Sequence, residues 1–142
     1  MFSQTVEYAL RAVIYLAQHQ NEGAIDSRRI AAATQVPASY LSKIMQDLAR
    51  RELLISKRGV GGGFQLRPAP DELSVLDVVN AVDPLKRIRG CPLSLPAHCD
   101  TLCPMHARLD ETVAHVEHTL KNSTIQEMMF DPNRPSPLGK PE

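Results

Sequence analysis

The chain has 142 residues, no tryptophan, three cysteines, 43% hydrophobic residues and a formal net charge of zero. That length suits one compact domain with an appendage, and it can bury a core without disulfide staples. No run of about 18 apolar residues and no basic-then-apolar leader is present, so neither a membrane span nor a signal peptide is expected, and the chain reads as cytoplasmic.

The first predicted element is an amphipathic helix over Phe2–Gln18, with Ser3 able to cap it and Val6, Ala9, Leu10, Val13, Ile14 and Ala17 as its apolar stripe. Glu7 lies beside that stripe. A turn containing Gly23 follows, and Ser27 or Asp26 then caps a short helix over Arg28–Thr34. Gln35-Val36-Pro37 ends it, because proline cannot continue a preceding helix but fits the start of the next. That next helix is ASYLSKIMQDLARR, Ala38–Arg51, with Leu41, Ile44, Met45 and Leu48 on one face and Ser39, Ser42, Lys43, Gln46 and Arg50 on the other. Two short helices joined by so tight a turn form a helix-turn-helix, with the second as reader. Hydroxyl, amide and cationic side chains on its outer face suit phosphates and base edges.

Leu53–Arg58 and Phe64–Arg67 read as two strands of a hairpin. Four of the seven glycines of the chain lie between them, in Gly59-Val60-Gly61-Gly62-Gly63, beside Lys57 and Arg58. Glycine lets backbone N–H groups approach an anion closely. A nucleotide phosphate loop is the competing reading. It fails because no Gly-Lys-Ser/Thr follows and the run leads into a strand, not a helix. A helix-turn-helix followed by a hairpin wing is expected to bind DNA. The charge distribution agrees: residues 1–67 carry 9 Lys/Arg against 5 Asp/Glu, whereas residues 68–142 carry 7 against 11.

Ser74-x-x-Asp77 is a capping-box pattern for a helix over 74–82, and Asp83-Pro84 ends it. Then comes CPLSLPAHCDTLCPMH, Cys91–His106, which holds every cysteine of the chain: Cys91, Cys99 and Cys103. An odd cysteine count in a cytoplasmic protein argues against a disulfide framework. Three thiolates on one loop with His98 and His106 fit a soft metal, either an iron–sulfur cluster or zinc. Pro104 opens a long helix to about Lys121, in which Met105, Leu109, Val113, Val116 and Leu120 make a seam for a partner helix. Thr124-x-x-Glu127 caps a last short helix over Ile125–Phe130, and the proline-rich Asp131–Glu142 is expected to be a disordered tail. No Ser/His/Asp constellation appears, so an enzyme is not expected.

The chain resembles the Rrf-two family of transcriptional regulators, which has IscR and NsrR types. The resemblance covers Met1–Phe130 and rests on VEYALRAVIYLA (Val6–Ala17), PASYLSKI (Pro37–Ile44), LARRELLISKRGVGGGFQL (Leu48–Leu66) and VLDVVNAVD (Val75–Asp83). It implies a mainly α fold with a small β-hairpin wing: a winged helix-turn-helix domain over residues 1–83, a cysteine-bearing loop over 84–104 and a dimerisation helix with a short last helix over 105–130. Ser39, Tyr40, Ser42 and Lys43 match the recognition segment of the family. Arg58, Gly59 and Gly61 match its wing, and Ser27, Arg28 and Lys57 complete the expected DNA contacts. The partners implied are a palindromic operator in double-stranded DNA and a second copy of the chain.

Cluster-binding members carry three cysteines at this place, matched by Cys91, Cys99 and Cys103, although the gaps here are seven and three residues rather than five and five. The fourth ligand is His106 by resemblance to the IscR type, or Glu7, reached across the dimer, by resemblance to the NsrR type. The function implied is a regulator, most simply a repressor, switched by a [2Fe–2S] or [4Fe–4S] cluster that responds to redox state, nitric oxide or iron–sulfur supply. Two alternatives stay open: the same regulator with a thiol switch or zinc site, and a metal-binding or electron-transfer protein without specific DNA binding.

Overall fold

The computed structural model describes residues 1–96 and 101–139. These residues form six α-helices, one short 3-10 helix (Gln20–Glu22) and one two-stranded hairpin. The first helix, α1 (Gln4–Gln18), is capped by Ser3, whose Oγ accepts the Val6 N–H at 3.4 Å. Its sequence shows one apolar stripe, yet Ala12, Tyr15 and Leu16 are buried as well as Val6, Ala9, Val13, Ile14 and Ala17. The cause is position: α1 is the central helix, packed against α2, α3, α4, α6 and the second strand. A helix with neighbours on most sides buries more than a stripe.

The second helix, α2 (Ser27–Thr34), is capped by Asp26, whose carboxylate accepts the Arg28 N–H at 2.6 Å. Ser27 is therefore the first helical residue and not the cap. Gln35 turns the chain in the left-handed conformation (φ 56°), and buried Val36 plugs the turn into the core. In α3 (Ala38–Arg50) the buried residues are Leu41, Ile44, Met45 and Leu48, the seam read from the sequence. The helix closes by bonds from Leu53 N–H to the Leu48 carbonyl and from Glu52 N–H to the Ala49 carbonyl, with Glu52 at φ 61°. This pair of bonds aims the chain straight into the hairpin.

Strands β1 (Leu54–Lys57) and β2 (Gly63–Leu66) pair antiparallel with Leu54 opposite Leu66 and Lys57 opposite Gly63. The hairpin is not free-standing. Ile25, just ahead of α2, bridges to Phe64 by two backbone hydrogen bonds of 2.9 Å. Gly63 permits that contact: a Cβ there would lie 2.1 Å from the Ile25 carbonyl oxygen, at a φ of +143°.

Both predicted capping boxes form. The Ser74 hydroxyl accepts the Asp77 N–H and the Asp77 carboxylate accepts the Ser74 N–H at the start of α4 (Val75–Val82); Thr124 and Glu127 do the same for α6 (Ile125–Met129). These two helix starts sit against each other. Val75 N–H donates to the Ser123 carbonyl and Ile125 N–H to the Leu73 carbonyl, each at 2.8 Å, and Ile125 has no accessible surface. The last helix thus packs on α1, inside the core of the winged domain. Between them α5 (Pro104–Lys121) buries none of its residues in this chain. After α6 the expected disordered tail instead turns at Asp131–Arg134, and Leu138, the one aliphatic residue of that stretch, packs partly buried on the core as far as the described residues run. No helix of the described residues is long and apolar enough to cross a membrane.

Gly63→Ala is expected to cost about 2–3 kcal/mol by adding backbone strain and overpacking at one site. Urea unfolding should show a lower midpoint with an unchanged slope; an unchanged midpoint would mean that the Ile25–Phe64 bridge contributes nothing.

Candidate nucleic-acid interface and cysteine site

The outer face of α3 presents Ser39, Tyr40, Ser42, Lys43 and Gln46, all exposed. The Ser42 hydroxyl donates to the Ala38 carbonyl at 3.2 Å. Tyr40 is tied to α1: its ring meets Tyr8 edge-on at 5.4 Å, and its hydroxyl is hydrogen-bonded to Thr5. It fixes α3 on α1 as well as forming part of the outer face. At the start of α2, Ser27 is half-buried and Arg28 exposed. The wing carries exposed Lys57 and Arg58 and turns by a bond from Gly62 N–H to the Gly59 carbonyl at 3.0 Å. Gly59 and Gly61 both have positive φ with open space around them, and Val60 between them is fully exposed. The predicted contact residues thus come from three elements that the core and the Ile25–Phe64 bridge hold as one body.

The nine cations of residues 1–67 divide into three that are paired and six that are not paired among the described residues. Arg11 is paired with Glu7, Arg29 with Glu22 and Arg50 with Asp47. Among the described residues no carboxylate pairs with Arg28, Lys43, Lys57 or Arg58, nor with Arg51 or Arg67. Arg29 is held further by the Tyr15 hydroxyl at 2.9 Å, which locks α2 to α1.

Of the predicted cysteine ligands, Cys103 is the residue ahead of α5 and His106 is on its first turn, with Sγ and Nδ1 3.2 Å apart and both residues half-buried. Zinc-type bond lengths of about 2.3 Å to sulfur and 2.0 Å to nitrogen put tetrahedral ligand atoms about 3.5 Å apart. This thiol–imidazole pair therefore fits a thiophilic metal with a shift of tenths of an ångström. Cys91 is half-buried at a turn where its carbonyl accepts the Ser94 N–H at 3.0 Å. Cys99 and His98 lie outside the described residues, and no group of three or more metal-holding side chains converges among those described. The other fourth-ligand candidate, Glu7, is exposed and held by Arg11 at 3.3 Å, and Arg11 also donates to the Thr34 carbonyl at 3.4 Å.

Sequence reasoning did not single out Arg87 and Asp110. Asp110 on α5 accepts the Arg87 Nε at 2.8 Å, the Arg87 Nη2 at 2.7 Å and the Ile88 N–H at 2.8 Å. The Arg87 guanidinium, and then the Ile88 N–H, hold its carboxyl down at about 2. The partners are 23 residues apart, Arg87 in a segment without regular structure and Asp110 on α5, so no periodicity marks them.

A family model described as "Rrf2: Iron-dependent Transcriptional regulator" matches residues 2–131. The chain is 29% identical over 124 residues to the HTH-type transcriptional regulator IscR of Aliivibrio salmonicida (strain LFI1238), covering 87% of this chain and 74% of that protein. Its fold is similar to that of T. potens IscR, with a TM-score of 0.74 and 22% identity over 90% of this chain and 85% of the other. It is equally similar to CymR (YrzC), the global cysteine regulator of B. subtilis, at a TM-score of 0.74 and 22% identity over 90% and 95%.

Lys43→Ala should weaken DNA binding across sequences and lower the salt slope of log K by about one unit, as loss of one phosphate contact does. Titration at several salt concentrations measures this, and an unchanged slope would remove Lys43 from the interface. The lowered Asp110 value means that the folded state favours the carboxylate. Its stabilisation is present above the ordinary value of 3.8 and is lost as pH falls through about 2. Melting temperature followed from pH 5 to pH 2 should drop in that window, and Asp110→Asn should flatten the drop.

Proposed function

The chain belongs to the Rrf2 (Rrf-two) family and is a winged-helix, DNA-binding transcriptional regulator, not an enzyme; from that premise we propose that it is a homodimeric repressor whose operator affinity is set by an iron–sulfur cluster on the cysteine loop. The observation that carries the cofactor assignment is the 3.2 Å approach of Cys103 Sγ to His106 Nδ1. Cys91, Cys99 and Cys103 would be the thiolate ligands and His106 the fourth. Glu7 is the less favoured candidate, because Arg11 already engages it within α1. When bound, the cluster supplies bonds that oxidants, nitric oxide and iron shortage can break.

The residues of the chain supply the rest. The first half of α3 enters the major groove with Ser39, Tyr40, Ser42 and Lys43, and the wing sets Lys57, Arg58 and the Gly59–Gly61 backbone on the flanking phosphates or minor groove. Arg28 adds a cation at the start of α2. Dimerisation is supported by α5: Met105 and Leu109 are 62% and 51% exposed, and Val113, Val116 and Leu120 are only half-buried. A second α5 would cover that seam and set the two reading heads about one DNA turn apart, roughly 34 Å. The loop lies between α4 and α5, so its ligation state bears on the angle between head and dimer helix. A coupling of about 1–3 kcal/mol is enough to switch a promoter.

Anaerobic purification with a visible spectrum and iron and sulfide counts tests this reading. A brown protein is expected, with His106→Ala losing or altering the spectrum and Glu7→Ala leaving it intact. Dependence on Glu7 instead would move the fourth ligand to α1. A chain that stays colourless after reconstitution, binding zinc or nothing, would overturn the cluster assignment and leave a regulator with a zinc site or thiol switch.

A further inference from the structure

The turn between α2 and α3 is held on both sides by residues of α1. Before the turn, the Arg11 guanidinium donates to the Thr34 carbonyl at 3.4 Å and lies 5.5 Å from the centre of the Tyr8 ring. After the turn, Tyr40 meets that same ring edge-on at 5.4 Å, and its hydroxyl is hydrogen-bonded to the Thr5 hydroxyl. Tyr8 packs half-buried against the core, and its own hydroxyl accepts the Gln4 amide at 2.8 Å, which pins the far end of the ring. Thr5 and Tyr8 are three residues apart and share one face of α1. We infer that Thr5 and Tyr8, which lie outside the helix-turn-helix, act through Tyr40 as positioning residues that set the roll of α3, and so determine how well the chain tells one DNA sequence from another. The inference rests on the reading that α3 enters the major groove.

The buried seam of α3 runs through Leu41, Ile44, Met45 and Leu48. Apolar contact is non-directional, so a single seam fixes how far the helix stands from the core but opposes rolling only weakly. Tyr40 precedes that seam by one residue and is followed one turn later by Lys43. Its bond to Thr5 is directional and resists the roll. Outer side-chain atoms lie about 5–6 Å from a helix axis, so a roll of about 10° carries Ser39 and Ser42 by about 1 Å. Hydrogen bonds to base edges tolerate roughly half of that. A lysine on a phosphate tolerates all of it, because the attraction is coulombic and the stem is long and flexible. Loosening the tie therefore takes away discrimination and leaves general affinity for DNA in place.

The test uses the full chain, with each variant purified alongside the parent under one set of conditions. Two probes serve: a duplex enriched by the parent from a randomised pool, and a duplex of the same length with that sequence shuffled. The ratio of their Kd values is the readout. Thr5→Val and Tyr40→Phe are each expected to lower it about five- to tenfold. The double variant should lower it no further, the mark of one shared interaction. Thr5→Ser, which keeps the hydroxyl, and Tyr8→Phe, which keeps the ring, should retain most of the ratio, whereas Tyr8→Leu should lower it. The salt slope on the shuffled duplex and the far-ultraviolet circular dichroism should not change, which separates positioning from loss of a phosphate contact or of the fold. A Tyr40 hydroxyl that bonds DNA directly would make Tyr40→Phe costly and Thr5→Val silent, and that result would overturn the inference. So would the parental ratio in both folded variants. A parent that enriches no duplex would overturn the reading of α3 itself.

Discussion

The DNA-reading head depends on the packing around α1. Ala9 and Ala12 have no accessible surface, and side chains of that size let neighbouring helices come close. Around that contact the polar ties are set: Tyr15 to Arg29 of α2, Arg11 to the Thr34 carbonyl at the end of α2, and Thr5 with Tyr8 to Tyr40 of α3. Each joins α1 to one member of the helix-turn-helix. The recognition helix is therefore placed by a buried apolar face below and by hydrogen bonds at its edge, both anchored in one helix.

The wing joins the same body through backbone rather than side chains. The Ile25–Phe64 bridge makes the hairpin continuous with the entry to α2, and a glycine at position 63 is what lets the two backbones touch. Net charge says little about such a protein. The sum is zero, yet the cations of α1, α2 and α3 that face carboxylates are neutralised, while Arg28, Lys43, Lys57 and Arg58 pair with no carboxylate among the described residues. Distribution, not total, fixes the field that phosphates meet.

Much of this was legible in the sequence wherever the signal is local. The seam of α3, the two capping boxes, the start of α5 at Pro104 and the glycine tip are all patterns within three to seven residues, and each formed. Contacts at long range left no pattern. The burial of Ala12, Tyr15 and Leu16 depends on helices that arrive later in the chain, and so does the packing of Leu138. The choice between Asp26 and Ser27 as cap turns on a single backbone angle. His106 stood out by its spacing from Cys103, and the i,i+4 spacing of Glu7 and Arg11 on one helix was an equally local sign of their pairing, whereas nothing local showed that Asp110 would bind Arg87 and Ile88.

The back-to-back starts of α4 and α6 bear on what happens when the backbone is cut. The chain leaves the core at the end of α4, runs through the cysteine loop and α5, and returns where Ile125 is sealed beside Leu73. A protease that severed the exposed Pro92–Leu95 stretch would not release the C-terminal fragment. The two pieces would stay joined by the Ser74–Thr124 bridge, the buried Ile125 and the Arg87–Asp110 pair. Integrity of the fold and continuity of the cysteine loop are thus separable properties. The loop can be damaged, or can vary in length over generations, while the head that reads DNA keeps its shape.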